Sequence, residues 1–334
     1  MTDITIIMPS YNKEKYIAEA LDSVFMQETN YNYHIVVADD CSTDKTIEIV
    51  KQYQEKFSNK ITLLTSDKNL KLYKNILRAY EITKTDYFCV LDPDDYWIDK
   101  YKIQKALDFL EKNKDFTIYV TDTNILTKNG EIKPFINRRK IKDSNFKDFL
   151  NNKAKFGCTL GSVFRNVVFK NGIPQKMITL PSETAEQSFR GDTFRTAIHM
   201  HEGKVHCVPE VDAIYRITDE GLWQGSSELQ QNILNANIFK DLWLYFDKKY
   251  DELLINSYKT ANKTNADLIN QLLRITDLKK RNIIIEKLIS LKLFYNKYNE
   301  LIKVKINKST KLEYKVMLYF YKKLYKKLSK KGLV

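Results

Sequence analysis

An α/β fold with a Rossmann-like sheet and a helical C-terminal extension is predicted by three observations. Four short apolar runs rich in β-branched and aromatic residues alternate with amphipathic segments over the first hundred residues. Acidic clusters stand directly after two of those runs. From about residue 228 the alternation stops and only helical spacing remains. Continuous apolar strands separated by helices indicate a parallel sheet covered on both faces, and open sheets of this kind take ligands at the C-terminal ends of their strands.

The elements follow in order. Ile4-Thr5-Ile6-Ile7-Met8 ends at Pro9 and reads as a buried strand. Ile17, Ala20, Leu21 and Val24 have helical spacing within residues 13–25. His34 to Ala38 is a second strand that stops at Asp39-Asp40, after which Ser42 and Asp44 are expected to cap a helix over 44–56. Ile61 to Leu64 is a third strand, residues 71–83 a third helix, and Tyr87 to Leu91 a fourth strand ending at Asp92. Thr117–Thr121, Ser162–Phe164 and Lys204–Val208 read as further strands, with a helix opening at Gly191-Asp192. The polar stretch 128–160 is expected to be mobile. The expected division is a catalytic body over residues 1–227 and a helical, basic region over 228–334.

Composition narrows the function classes. The chain has 334 residues, 43% hydrophobic and 29% charged, as in an ordinary globular protein. Its four cysteines, Cys41, Cys89, Cys158 and Cys207, form no Cys-x-x-Cys pair, so neither a disulfide framework nor a cysteine zinc site is expected. No signal peptide and no run of about 18 uncharged apolar residues is expected. The net charge of +13 is unevenly placed: Lys+Arg and Asp+Glu both number 35 in residues 1–250, but 20 and 7 in residues 251–334. Charge confined to one end suggests an attachment device beside a neutral catalytic body.

The chemistry is carried by carboxylates. Leu91-Asp92-Pro93-Asp94-Asp95-Tyr96-Trp97 places three of them within four positions after a buried strand. Like charges this close need a cation or a set of donors to answer them. Hard oxygen ligands suit Mg²⁺ or Mn²⁺, which bridge a few carboxylates to substrate phosphates. The plainer alternative is an acidic turn in which Asp95 or Asp99 caps the next helix. Asp39-Asp40-Cys41-Ser42-Thr43-Asp44 is open to the same two readings, helix capping or hydrogen bonds to a base and ribose hydroxyls.

Together these segments resemble family 2 glycosyltransferases of the GT-A fold. The resemblance rests on Pro9-Ser10-Tyr11-Asn12, Asp39 to Asp44, Asn69, Leu91 to Asp95, Gly191-Asp192-Thr193-Phe194, Val208-Pro209-Glu210-Val211 and Tyr215-Arg216, in that order over about residues 1–227. It implies an inverting transfer from a nucleotide-sugar, of UDP type, to a hydroxyl of a bacterial surface glycan or lipid-linked saccharide. It places Pro9, Tyr11, Asp39 and Asp40 around the base and ribose, Asn69 on the facing loop, and Arg216 near the diphosphate. Asp92 and Asp94 become the Asp-x-Asp pair, with Asp94 reaching a Mn²⁺ or Mg²⁺ ion, and Asp192 becomes the catalytic base. Relatives that follow Tyr-Arg with a metal-binding His two residues on differ from this chain, which has Thr218 there, so the resemblance implies either fewer protein ligands to the metal or a substitute such as Asp219.

Other readings carry less. A helix-capping role competes for Asp192. His199 and His201 on one helix point about 200° apart, which disfavours zinc. Lys68, Lys71 and Lys74 fit a solvated face, and Trp97 and Trp223 are candidates either to flank the sugar or, for Trp97, to pack in the core. A sugar nucleotidyltransferase would carry a Gly-rich loop after the first strand, where Pro9-Ser10-Tyr11-Asn12 stands. A scaffold with a degenerate transferase domain would not be expected to retain Asp92, Asp94 and Asp192 together. Near the C-terminal end, Leu312, Val316, Phe320, Leu324 and Leu328 form a stripe flanked by Lys322, Lys323, Lys326 and Lys327. That stripe fits a basic amphipathic helix lying on an anionic membrane surface, or one packing on the catalytic body. Peripheral attachment to the cytoplasmic face of the inner membrane is the expectation. Nucleic acid is not an expected partner, because no groove-reading or stacking module accompanies the charge.

Overall fold

In the computed structural model the described residues are 3–135, 142–154, 159–180, 191–218, 226–262, 277–298 and 301–302. The chain divides into two units, residues 1–225 and 226–334. The first is built on a nine-stranded sheet. Its strands are β1 (Ile4–Ser10), β2 (Tyr33–Asp39), β3 (Ile61–Leu64), β4 (Tyr87–Val90), β5 (Tyr96–Trp97), β6 (Phe116–Leu126), β7 (Ile132–Pro134), β8 (Ser162–Arg165) and β9 (Lys204–Arg216). The spatial order is β3-β2-β1-β4-β8-β6-β9-β5, with β7 beside β6.

The strands β3, β2, β1 and β4 run parallel. Every residue of β1 and β4 is buried, as a doubly covered parallel strand requires. The parallel arrangement expected from the alternation holds for these four strands and gives way to a mixed one beyond β4. β8 runs antiparallel to both β4 and β6, β9 runs parallel to β6, and β5 closes antiparallel on β9. The continuous apolar runs signalled burial on two faces, and burial alone does not fix strand direction.

Helices α1 (Ile17–Phe25), α2 (Thr46–Lys56), α3 (Lys71–Ile82) and α4 (Lys102–Lys112) alternate with the first strands. Alternation along the strands sorts the core into two faces. Ile4, Ile6 and Met8 of β1 and Cys89 of β4 pack with Ile17, Leu21 and Val24 of α1 and Ile103, Leu107 and Leu110 of α4. On the opposite face, Phe88 of β4 meets Tyr80 of α3, Phe164 of β8 and Phe169, with centroid separations of 5.0–5.8 Å. Two short helices, α5 (Phe146–Leu150) and α6 (Gln175–Thr179), precede α7 (Asp192–Glu202).

Several local expectations change. The polar stretch 128–160 holds β7 and α5, and α5 opens on a capping box between Asn145 and Asp148. α1 starts at Ile17, because Asn12 has a left-handed φ of 51° and the chain turns before entering the helix. Ser42 does not cap α2: its hydroxyl donates to Asp39, while Asp44 accepts from the Thr46 backbone N–H at 3.0 Å. β9 extends from Lys204 past Pro209 to Arg216, with register irregularities opposite Val120 to Thr123 of β6. A proline and local bulges hid its second half. Trp97 is a core residue 1% exposed, its indole N–H donating to the Leu160 carbonyl at 3.1 Å, so it does not flank a sugar.

The second unit contains α8 (Glu228–Tyr245), α9 (Asp251–Asn262) and α10 (Leu278–Lys297). α8 begins with a Ser227/Gln230 capping box. Trp243 packs edge-on against Phe294 and Tyr298, and Tyr258 against Tyr295. Among the described residues no helix is long and apolar enough to cross a membrane. The basic stripe over 312–330 lies outside the described residues, as do Trp223 and Cys158.

One buried ion pair ties the sheet's far edge together. Lys102 of α4 donates to Asp212 of β9 at 2.7 Å, with the two side chains 1% and 2% exposed, and Thr121 of β6 donates to the other Asp212 oxygen at 2.5 Å. Lys102→Met alone is expected to cost about 3–5 kcal/mol by leaving Asp212 buried without its partner. The double change with Asp212→Leu should recover most of that loss. Urea unfolding of the two variants beside the parent chain measures both.

Candidate functional site

The C-terminal ends of β1, β2 and β4 define the site. Ser10 is the register partner of Asp39. The Leu91 N–H bonds the Ile7 carbonyl at 2.9 Å, so Asp92 emerges beside the end of β1. All the carboxylates singled out after strands therefore stand on one edge of the sheet.

The loops after β1 and β2 are laced to each other by side chains. The Asn12 N–H donates to the Ser42 hydroxyl at 2.8 Å, and Asn12 Oδ1 accepts from the Thr43 N–H at 2.8 Å. The Lys13 N–H donates to the Thr46 hydroxyl at 2.7 Å, and the Glu14 N–H to Asp44 at 3.0 Å. Asp39, fully buried, accepts from both the N–H and the hydroxyl of Ser42. Asp40 reaches across to the start of α3 and accepts from the N–H groups of Leu70 and Lys71 at 2.6 and 2.8 Å. Asn69 Oδ1 joins it on the Lys71 N–H at 3.0 Å. Asp40 and Asn69 are thus brought together, and Asp40 supplies from another loop the cap that α3 lacks. Pro9 is buried in β1, while Tyr11 stands exposed at the mouth. Cys41 sits between these carboxylates at a φ of 66°, a conformation rarely adopted by a residue of its kind.

The acidic turn after β4 is held from β9. Asp95 is buried; its Oδ1 accepts from the Arg216 N–H at 2.8 Å, and its Oδ2 has no partner. Burial, then repulsion from Asp92 and Asp94, holds its carboxyl well above the usual range. Arg216 Nε donates to the Asp94 carbonyl at 3.0 Å. The guanidinium lies 5.2 Å from the Tyr16 and Tyr96 ring centroids and pairs with Glu19. Asp95 therefore does not cap a helix; Asp99 does accept from the Tyr101 N–H at the entry to α4. Asp94 forms an ion pair with Lys13 at 2.8 Å.

Asp192 approaches the same acidic turn from α7. Gly191 occupies the helix cap with no side-chain hydrogen bond, so Asp192 is the first helical residue and does not cap it. Arg195, one turn on and fully buried, donates to Asp192 Oδ1 at 3.1 Å and to the Tyr80 hydroxyl at 2.8 Å. The Asp192 side chain is otherwise open, at 64% exposure. Burial, then repulsion from Asp192 and from Asp94, pushes the Asp92 carboxyl up to about 7, while Arg195 and Lys13 pull the other way. Asp92, Asp94 and Asp192 thus share one electrostatic environment.

The donor set suits a hard divalent ion. Asp92 and Asp94 offer carboxylate oxygens, the Asp92 carboxyl being raised by burial and by its acidic neighbours, and one oxygen of neighbouring Asp95 is buried without a partner. Among the described residues no group of three His, Cys, Asp or Glu side chains forms a ready-made cage. This donor chemistry fits an ion that completes its shell with substrate phosphates. Thr218 is buried with its hydroxyl unpartnered, and Asp219 lies outside the described residues.

The histidines have separate partners. His199 is buried against Phe88, Phe164 and Phe169, its Nδ1 2.8 Å from the Arg195 carbonyl, and burial pushes its pKa down to about 3. His201 pairs with Glu202 and His206 with Asp143. A cavity of about 470 Å³ lined by Thr5, His34, Thr62, Lys84 and Thr85 opens at the opposite, N-terminal edge of the parallel strands and holds none of these carboxylates.

Lys13, Tyr80 and Arg195 were not singled out from the sequence. Arg195 had a signal in its spacing of three from Asp192, which places both on one helix face. Lys13 had one in its position directly after Pro9 to Asn12. Tyr80 had none, because its hydroxyl meets Arg195 from an element far away in sequence.

Comparison with known proteins agrees with this geometry. Residues 5–172 match the sequence profile described as Glycosyl transferase family 2. The chain is 25% identical over 227 residues to the uncharacterized protein Rv1520 of Mycobacterium tuberculosis, covering 67% of this chain and 61% of that protein. It is 28% identical over 179 residues to the poly(ribitol-phosphate) beta-N-acetylglucosaminyltransferase TarS of Staphylococcus aureus, covering 51% of this chain and 29% of TarS. It thus spans less than two thirds of the length of these relatives. Among solved structures, S. aureus TarS 1–349 in complex with UDP-GlcNAc aligns with a TM-score of 0.56 at 15% identity, over 86% of this chain and 79% of that one. The mannosyltransferase PcManGT of Pyrobaculum calidifontis, in complex with GDP-Man and Mn²⁺, aligns with a TM-score of 0.51 at 16% identity, over 90% and 83%. These likenesses show the fold, which is of GT-A type.

The cross-loop cap predicts a local stability effect. Asp40→Ala should cost about 0.5–2 kcal/mol, the range for a lost helix cap. The Leu70 and Lys71 amides should lose protection in hydrogen exchange while the β1 amides keep theirs.

Proposed function

The chain belongs to glycosyl transferase family 2, and from that membership we propose that it is an inverting, metal-dependent glycosyltransferase. The donor is a UDP-linked hexose or N-acetylhexosamine, and the acceptor a hydroxyl of a bacterial surface glycan or lipid-linked saccharide. The observation that carries the proposal is the shared environment of Asp92, Asp94 and Asp192, an acidic pair and a separate carboxylate at one sheet edge. The UDP-GlcNAc complex of TarS supports the choice of donor class.

In this reading Asp39, Asp40, Asn69, Pro9 and Tyr11 line the base and ribose end, and Asp92 and Asp94 hold Mn²⁺ or Mg²⁺. When bound, the ion acts as a Lewis acid that neutralises charge growing on the leaving diphosphate. Asp192 takes the proton of the attacking hydroxyl. Its hydrogen bond to buried Arg195 fixes one oxygen, and its exposure leaves the other open to an acceptor. Arg216, stacked by Tyr16 and Tyr96, orients the Asp94–Asp95 segment beside the diphosphate. A single displacement assisted by one base inverts the anomeric centre, whereas double displacement requires a nucleophilic carboxylate under the sugar.

The test is UDP release from a panel of UDP-sugars with Mn²⁺ and with EDTA. Release that depends on Mn²⁺ is expected, and no release with any donor would favour a scaffold with a degenerate domain. Asp192→Asn should lower turnover by about 10²–10⁴-fold and leave UDP affinity unchanged. Turnover within about tenfold of the parent would reject Asp192 as the base.

Peripheral attachment to the inner face of the cytoplasmic membrane belongs to the same proposal, supported by the basic stripe around Leu312 to Lys330. The full chain should float with anionic liposomes, and truncation after residue 305 should abolish flotation. Unchanged flotation would remove the stripe from that role.

A further inference from the structure

The acidic turn faces three cations, and they are committed to different degrees. Arg195 is buried and divided between Tyr80 and Asp192. Arg216 is stacked between two tyrosine rings and paired with Glu19. Lys13 alone of the three bonds an Asp-x-Asp carboxylate, its Nζ 2.8 Å from Asp94 Oδ2, with the two side chains 15% and 17% exposed. Its backbone is fixed by the Thr46 hydroxyl at 2.7 Å, and the preceding residue by Ser42 at 2.8 Å. The four-carbon stem can therefore swing about an anchored point, carrying a compact charge.

A divalent ion held by Asp94 would bond the same carboxylate that Lys13 now occupies. An ammonium hydrogen-bonded to the same group would then be a near neighbour of that ion. Two cations so close in a partly desolvated cleft repel strongly. The ammonium must leave Asp94, and the anion that a nucleotide donor brings with the ion is its diphosphate.

We infer that Lys13 is the resident counter-ion of the cation site, occupying Asp94 in the donor-free protein and passing to the donor's diphosphate when the divalent ion arrives with it. The inference rests on the functional reading above and adds a positioning residue to it. The exchange makes ion and nucleotide each favour the other's binding. An ion alone displaces Lys13 without giving it a new partner, whereas an ion with a diphosphate supplies one.

Mn²⁺ binding to the full chain, followed by the electron paramagnetic resonance of free Mn²⁺ with and without UDP, tests this directly. The parent protein should bind Mn²⁺ weakly alone and from about fivefold to about a hundredfold more tightly with UDP, the range of ordinary coupling between sites. In Lys13→Met, Mn²⁺ alone should bind more tightly than in the parent, UDP at saturating Mn²⁺ should bind more weakly, and the coupling should shrink. Lys13→Arg, which keeps the charge, should retain the coupling. Lys13→Gln repeats the measurement if Lys13→Met does not fold. Coupling in the neutral variants equal to the parent's overturns the inference and leaves Lys13 a structural tie. A parent protein that binds no UDP even with Mn²⁺ overturns the functional reading itself, and the inference with it.

Discussion

The crowding of buried carboxylates at the end of β4 is the constraint around which the first unit is arranged. Asp92, Asp94 and Asp95 follow one buried strand and Asp192 stands on α7; burial, then the neighbouring carboxylates, raises the cost of ionising Asp92 and Asp95. The cations and donors that answer this crowd come from separate elements. Lys13 comes from the loop after β1, Arg195 from the first turns of α7, and the Arg216 N–H from the end of β9. No single segment could assemble the cluster, which exists only once the parallel half of the sheet has met its antiparallel half. The buried Lys102–Asp212 pair serves that meeting, because it joins α4 to the strand that delivers Arg216.

The loops that carry Asp39 and Asp40 are organised differently. Asp39 and Asp40 already accept two protein hydrogen bonds each. A carboxylate has about four acceptor positions, so these bonds orient the group and still leave lone pairs for a ligand. The structural and ligand-binding readings of such residues are therefore compatible. The left-handed backbone at Asn12 and Cys41 follows from the same lacing, which bends both loops more sharply than extended or helical backbone allows.

Much of this was legible in the sequence because it depends on local pattern. Strands β1 to β4 and helices α1 to α3 declare themselves by period and composition, and the acidic clusters by their position after strands. Strand direction beyond β4 was not legible, since apolar content reports burial and is silent on polarity. β9 was half hidden by Pro209. The fate of Trp97 was open because an indole suits a sugar face and a core equally, and only the Leu160 carbonyl decided it. Ser42 looked like a cap by residue type, but Asp39 competes for the same hydroxyl at close range. Residues acting across elements, Lys13 on Asp94 and Tyr80 under Arg195, are set by tertiary placement that no spacing rule encodes.

Asp40's grip on the start of α3 joins the loops after β2 and β3 into one piece, already fixed to the loop after β1 through Ser42 and Asn12. The other end of the cleft turns on a long flexible side chain. On the proposed reading, the floor that recognises the nucleoside is stiff while the part that handles the departing phosphates is compliant. Choice of nucleotide and release of product then fall to different side chains, while the backbone that carries Lys13 belongs to the laced loops.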